Sequence, residues 1–88
     1  MVEVVLYEGT GCGHCARAAE LLEGEAPRLG FRLRRVLVDG DDELERRYRI
    51  DLPAVLIDGD LAFTQAVAAA PLQRAVERAQ ARRREASS

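Results

Sequence analysis

The stretch Val4-Val5-Leu6-Tyr7-Glu8-Gly9-Thr10-Gly11-Cys12-Gly13-His14-Cys15-Ala16 decides the fold, because it passes from a strand pattern through a glycine break into a helix opening on a cysteine pair. Val2 to Tyr7 is rich in β-branched residues and apolar on both faces, which suits a central strand covered on both sides. Glu8-Gly9-Thr10-Gly11 ends that pattern with two glycines. Beyond the break, Cys15, Ala18, Ala19, Leu22, Ala26 and Leu29 recur at helical spacing, so a helix is expected to start at Cys12 or Gly13. Both cysteines then fall in its first turn.

That placement has chemical consequences. A thiolate is the attacking species in disulfide exchange, and an ordinary cysteine with a pKa near 8.5 is only about 3% ionised at pH 7. The first turn of a helix offers unpaired N–H groups and a positive dipole end, both of which favour a thiolate; a pKa lowered to about 7 would leave half of it ionised. His14, when protonated, is expected to add a second positive charge. Spacing assigns the roles: Cys12 at the helix tip attacks, and Cys15, one turn deeper, resolves the mixed disulfide. Gly13 leaves a partner unobstructed, and Gly11 lets the loop bring backbone close to the cysteine. A disulfide closing only this short loop would add little stability, so a structural staple is disfavoured. Closely spaced cysteines in a reducing compartment are more often redox-active or metal-binding.

Outward from this centre, Pro27 following Gly24 is expected to kink or end the first helix early, with Gly30 as its stop. Phe31 to Asp39 reads as a second strand, parallel to the first because a helix connects them. Asp41 and Asp42 offer N-caps to a short second helix with acids at its head and arginines at its end, and Leu44 and Tyr48 are expected as its buried pair. Pro53 to Ile57 is a third strand, and Asp58-Gly59-Asp60 turns the chain back through Leu61-Ala62-Phe63. Gln65 to Ala70 is ambiguous. Pro71 suits the first position of a last helix whose apolar face is Leu72, Ala75, Val76 and Ala79. The expected fold is therefore α/β, in the order β-α-β-α-β-β-α, a four-stranded mixed sheet flanked by helices. Residues 1–84 are expected to form a single domain and 85–88 a disordered tail.

Size and composition set the limits. A chain of 88 residues buries somewhat above ~60% of its unfolded surface, enough for one core. Hydrophobic residues at 48% and charged residues at 32% are an ordinary globular balance, against disorder or a fibrous chain. The net charge is only −2, although all 13 basic residues are arginine, so no nucleic-acid partner is expected. The run Arg82-Arg83-Arg84 is read as a solvated helix end. Apolar runs fall far short of the roughly 20 residues of a membrane span, so no membrane partner is expected. The N-terminus enters a strand pattern directly, without a basic n-region, and a cytoplasmic location is expected.

With Cys12-Gly13-His14-Cys15 followed by Leu52-Pro53 at the head of a strand and a hairpin, the chain resembles the thioredoxin superfamily, most of all its short glutaredoxin-like members. The resemblance spans nearly the whole chain. It implies a thiol–disulfide oxidoreductase with a redox-active pair, a cis peptide bond before Pro53, and a Leu52 backbone that binds an extended substrate. Its partners would be a disulfide-containing protein or glutathione, with an upstream reductase to recycle it. It implies no bound cofactor, glutathione being the candidate co-substrate. The tetrad is similar to that of protein disulfide isomerase domains, but potentials across this fold span about 150 mV, roughly 7 kcal/mol, so the tetrad alone does not set one. In the cytosol, reduction of partners is expected. Glutaredoxins carry Gly-Gly and an acid after the last strand to hold glutathione, where this chain has Thr64-Gln65-Ala66-Val67. There is also no Trp before the pair, unlike classical thioredoxin.

Gly9 to Ala16 also resembles the copper-binding loop of heavy-metal-associated domains, which sit on a ferredoxin-like fold; two thiolates at this spacing can hold soft Cu(I). Thr10 replaces that family's methionine, and an acidic-headed helix stands at Gly40 to Tyr48 where that fold turns into another strand. Cys12, Cys15 and the only histidine cannot complete a tetrahedral zinc site, so no resident metal is expected.

Overall fold

The computed structural model describes residues 1–87. Its elements are β1 (Val2–Glu8), α1 (Gly13–Leu29), β2 (Phe31–Leu37), α2 (Asp42–Tyr48), a 3-10 turn (Arg49–Asp51), β3 (Ala54–Ile57), β4 (Asp60–Thr64) and α3 (Ala69–Ala86). The sheet order is β2-β1-β3-β4, with β1 and β2 parallel and the other pairs antiparallel. This is the expected order of elements, with a helix between β2 and β3 where a ferredoxin-like fold would place another strand.

Alternation along β1 sorts the sheet into two unlike faces. Val2, Val4 and Leu6 are fully buried and pack with Ala18, Ala19 and Leu22 of α1 and Leu72, Ala75, Val76 and Ala79 of α3. Truncating one of these leucines to alanine costs about 2–5 kcal/mol, because the cavity left behind collapses only in part. On the other face Glu3 is exposed and Val5 and Tyr7 are half-buried, so β1 is not covered equally on both sides as expected. The physical reason is length. At 1.5 Å per residue, the seven-residue α2 is only about 10 Å long and covers chiefly the Tyr7 end of the strand. There Tyr48 stacks on Tyr7, with ring centroids 4.4 Å apart and planes 14° from parallel. Leu44 and Tyr48 are accordingly half-buried, not buried.

Local chemistry explains the boundaries. Pro27 lies inside α1, which runs on to Leu29 instead of ending early. The lost N–H is one hydrogen bond, and the last turn recovers others: Gly30 N–H donates to Ala26 O at 2.9 Å, and Gln80 Nε2 donates to Leu29 O at 2.9 Å. Gly30, at φ 77°, is the left-handed C-cap. Asp41 caps α2 by accepting from Leu44 N–H at 3.1 Å. Asp58 and Gly59, at φ 49° and 88°, form the two-residue turn that joins β3 to β4. Pro71 stands two residues later in α3 than expected, behind Ala69 and Ala70, still within the first turn whose N–H groups have no partner. Glu85 and Ala86, expected in a tail, belong to α3, and Ser87 closes the helix with Oγ donating to Arg83 O at 2.9 Å. Ser88 lies outside the described residues.

Two charged clasps fix the periphery. Arg35 of β2 reaches Glu8 at 2.6 Å and Glu23 of α1 at 2.6 Å, and the two carboxylates, Glu8 first, hold its guanidinium far above the usual arginine range. Arg83 of α3 grips Asp58 at 2.7 Å, tying the tip of the β3–β4 hairpin to the last helix. No described helix is long and apolar enough to cross a membrane.

Candidate redox site

Cys12 is the N-cap of α1, in extended conformation at φ −94° and ψ 107°, and its Sγ accepts from Cys15 N–H at 3.1 Å. The sulfur thus sits where the helix presents unpaired N–H groups, the environment that favours a thiolate once the pair is reduced. Cys12 and Cys15 are joined as a disulfide with Cα atoms 5.2 Å apart, within the ordinary range for such bonds. Cys12 is half-buried while Cys15 is 1% exposed, so only the first sulfur can be met by a partner without the helix opening.

The glycines around the pair do different work. Gly11 has φ 69°, the left-handed region that side chains disfavour, and it makes the turn into α1. A Cβ on Gly13 would meet nothing nearer than an Arg17 nitrogen at 3.9 Å, so its bareness serves the outside of the protein and not its packing. Gly9 is different again. A Cβ there would stand 3.0 Å from Leu52 Cδ1, which shows how closely the loop before Cys12 approaches the loop before Pro53. The sequence pattern did not single out Gly9 for this; the signal was there only as one more glycine in the break.

The Leu52–Pro53 peptide is cis, as the family resemblance implied. Pro53 is buried and Leu52 half-buried. The segment is held from behind by Gln65, whose N–H donates to Pro53 O at 2.9 Å and Asp51 O at 3.1 Å, and whose side-chain Nε2 donates to Ile50 O at 3.3 Å. Gln65 has φ 69°, uncommon for a residue with a side chain. It occupies the ambiguous stretch after β4, and only its contrast with the glycines of glutaredoxins marked it.

His14 is exposed, and its Nδ1 lies 2.6 Å from Arg17 Nη2. A guanidinium can only donate, so in this arrangement Nδ1 accepts, and Arg17 brings a positive charge beside the first turn. A small groove beside the pair is lined by His14, Arg17, Ala18, Gln65, Ala66 and Val67. The acids near the strands are engaged elsewhere: Glu8 with Arg35, Asp39 with Thr10 N–H at 3.4 Å, and Glu3 with Arg32 at 3.5 Å. No buried charged or polar side chain stands among the described residues.

A capped helix start bearing a C-x-x-C disulfide, on a four-stranded mixed sheet with a cis-proline at the head of β3, defines a thioredoxin-like fold. The chain belongs to the glutaredoxin-like domain family (DUF836), whose model matches residues 3–81. Among solved structures it is similar to the oxidised thioredoxin from Plasmodium falciparum, with 22% identity, a TM-score of 0.61, and coverage of 88% of this chain and 79% of that one. The thioredoxin from Fasciola hepatica gives 20% identity and a TM-score of 0.60 over 88% of this chain and 79% of that one. Glutaredoxin 1 from Francisella tularensis, in complex with cacodylate, gives 14% identity and a TM-score of 0.56 over 91% and 98%. At these identities the similarity concerns the fold. No curated protein matches the chain significantly.

Proposed function

We propose that this protein is a dithiol thiol–disulfide oxidoreductase that reduces protein or small-molecule disulfides in the cytoplasm. The single observation that carries this is the unequal exposure of two sulfurs within bonding distance, with Cys12 accessible at the helix tip and Cys15 buried behind it. The Cys12 thiolate attacks one sulfur of the substrate disulfide, breaking that S–S bond and expelling the other sulfur as a thiolate that takes a proton from water. The Cys15 thiol then gives up its proton and attacks Cys12 Sγ, closing the Cys12–Cys15 disulfide and releasing the second substrate sulfur. Two electrons pass to the substrate. A dithiol reductase, ending as its own disulfide, or two glutathione molecules, ending as glutathione disulfide, supply the two electrons that reopen the Cys12–Cys15 bond.

Gly11 and Gly13 leave the approach open, and the backbone of Leu52 beside Pro53 is the surface along which an extended substrate would lie. His14 accepts from Arg17 and borders the same approach. Glutathione is a co-substrate in this proposal, not a resident group. The test is trapping: Cys15→Ser should accumulate stable mixed disulfides through Cys12, whereas Cys12→Ser should lose disulfide reduction altogether. Full dithiol turnover by Cys12→Ser would defeat the assignment.

A further inference from the structure

The two edges of the sheet are unlike. β2 carries three exposed arginines, of which Arg35 is held by Glu8 and Glu23 and Arg32 by Glu3 while Arg34 has no ion pair among the described residues, and such charges blunt an edge strand. On β4 the only charged residue is Asp60, at the turn, while Leu61 is 55% exposed and Ala62 and Thr64 are exposed as well. β4 pairs with β3 alone, so one whole side of its backbone is without a strand partner.

Beside that edge runs α3. Its C-terminal part is clasped to the hairpin tip by Arg83 and Asp58, so the helix runs back along β4 from the Thr64 end to the turn. Between them lies a groove of about 520 Å³ whose polar lining consists of Asp60, Arg74, Arg78 and Arg82. All three arginines are exposed, and among the described residues neither Arg74 nor Arg78 has an ion-pair partner. Arg82 acts on Asp58. Like charges spaced four apart on a helix repel, a cost that carboxylates in the groove would remove.

We propose that the β4 edge and this arginine row bind an extended acidic segment of a partner protein as a fifth strand. The spacings agree: residues four apart on a helix advance about 6 Å, and alternate residues of a strand about 6.8 Å, so acids at every second position track the arginines. Backbone pairing along β4 supplies affinity, and the acidic side chains facing α3 supply selectivity. The register shift between Val55 and Leu56 leaves Ala62 without a partner on β3, a bulge in the middle of β4. The added strand therefore starts its pairing beyond the bulge, along Phe63 and Thr64, with its acids on Arg74 and Arg78. This surface stands independently of the redox assignment.

The test uses the full chain and a capped seven-residue peptide alternating valine and glutamate, followed by amide NMR shifts and fluorescence anisotropy. The expected result is shifts confined to Asp60–Thr64 and the facing side of α3, with affinity about tenfold weaker in Arg74→Glu/Arg78→Glu and falling as salt rises. The same peptide N-methylated at alternate residues should not bind, which separates strand addition from simple charge attraction. Both substituted arginines are exposed, and an unchanged melting temperature will show that the variant is folded. The proposal is overturned if the β4 amides do not move, if an alternating valine–lysine peptide binds equally, if the N-methylated peptide binds as well, or if the free protein already pairs with itself through β4.

Discussion

Gln65 and Pro53 are joined by a hydrogen bond of 2.9 Å from the N–H of the first to the carbonyl of the second, made from a left-handed backbone at φ 69°. The same residue holds Ile50 O with its side chain, so one residue after β4 fixes the segment that precedes β3. Two variants separate these contributions. Gln65→Gly keeps the N–H bonds, loses the side-chain bond and relieves a backbone cost of about 1 kcal/mol, so its stability should change by less than about 0.5 kcal/mol. Gln65→Val keeps no side-chain bond and adds branching at a position that resists it, and should lose about 2 kcal/mol in urea denaturation. If Gln65 positions the substrate loop, both variants raise KM for a disulfide substrate more than they lower kcat.

Gly9 stands against Leu52 from the other side of the site. Gly9→Ala brings a methyl to 3.0 Å from Leu52 Cδ1, and the leucine must give way. A loss of about 0.5–1 kcal/mol is expected, from mild overpacking. The rate of Cys12 alkylation should stay within a factor of about two of the parent, because the helix start is untouched. Equal losses in alkylation rate and substrate KM would show that the two loops move together.

Arg17, one residue past the first turn of α1, holds its guanidinium 2.6 Å from His14 Nδ1. Arg17→Met removes that charge and keeps much of the side-chain length. An exposed charge near a helix end is worth about 0.3–1 kcal/mol, so iodoacetamide alkylation of reduced Cys12 near pH 6 should slow by about two- to fivefold. High salt should shrink the difference between variant and parent.

Asp58 accepts from Arg83 at 2.7 and 2.8 Å and from Glu3 N–H at 3.0 Å. The Arg83 hydrogen bond, with help from Glu3 N–H and against some desolvation, lowers its pKa from 3.8 to about 2. The unfolded chain therefore takes up this proton first. The stabilisation is complete above pH 4 and is lost as the pH falls toward 2. After allowance for screening at a half-exposed pair, it amounts to on the order of 1 kcal/mol. Asp58→Asn should flatten that part of the pH–stability curve by the same amount, as measured by thermal melts at pH 5 and pH 2.5.

Much of this architecture was legible because single residues carry local signals. Asp41 caps α2, Gly30 closes α1 and Asp58-Gly59 turns the hairpin for reasons contained in a few adjacent positions. The cysteine pair was legible for the same reason. What escaped depends on contacts distant in sequence. Pro27 does not end α1 because Gln80, far along the chain, holds Leu29 O. The second face of β1 is half-covered because α2 is short, which alternation within β1 cannot reveal. The contact of His14 with Arg17, three residues on along the same helix face, was not read from the sequence. Gln65 works through carbonyls of a loop more than ten residues earlier, and no local pattern marks a left-handed glutamine.

The measurement that tests the central claim most directly is the fraction of Cys12–Cys15 disulfide across a ladder of glutathione redox buffers, read by alkylation and intact mass. The account predicts a single two-electron transition, with a tenfold change in the equilibrium constant for every ~30 mV, and both cysteines alkylated together or not at all. Thiols that never pair within the chain across the ladder, or that are oxidised only as separate glutathione adducts, would contradict it.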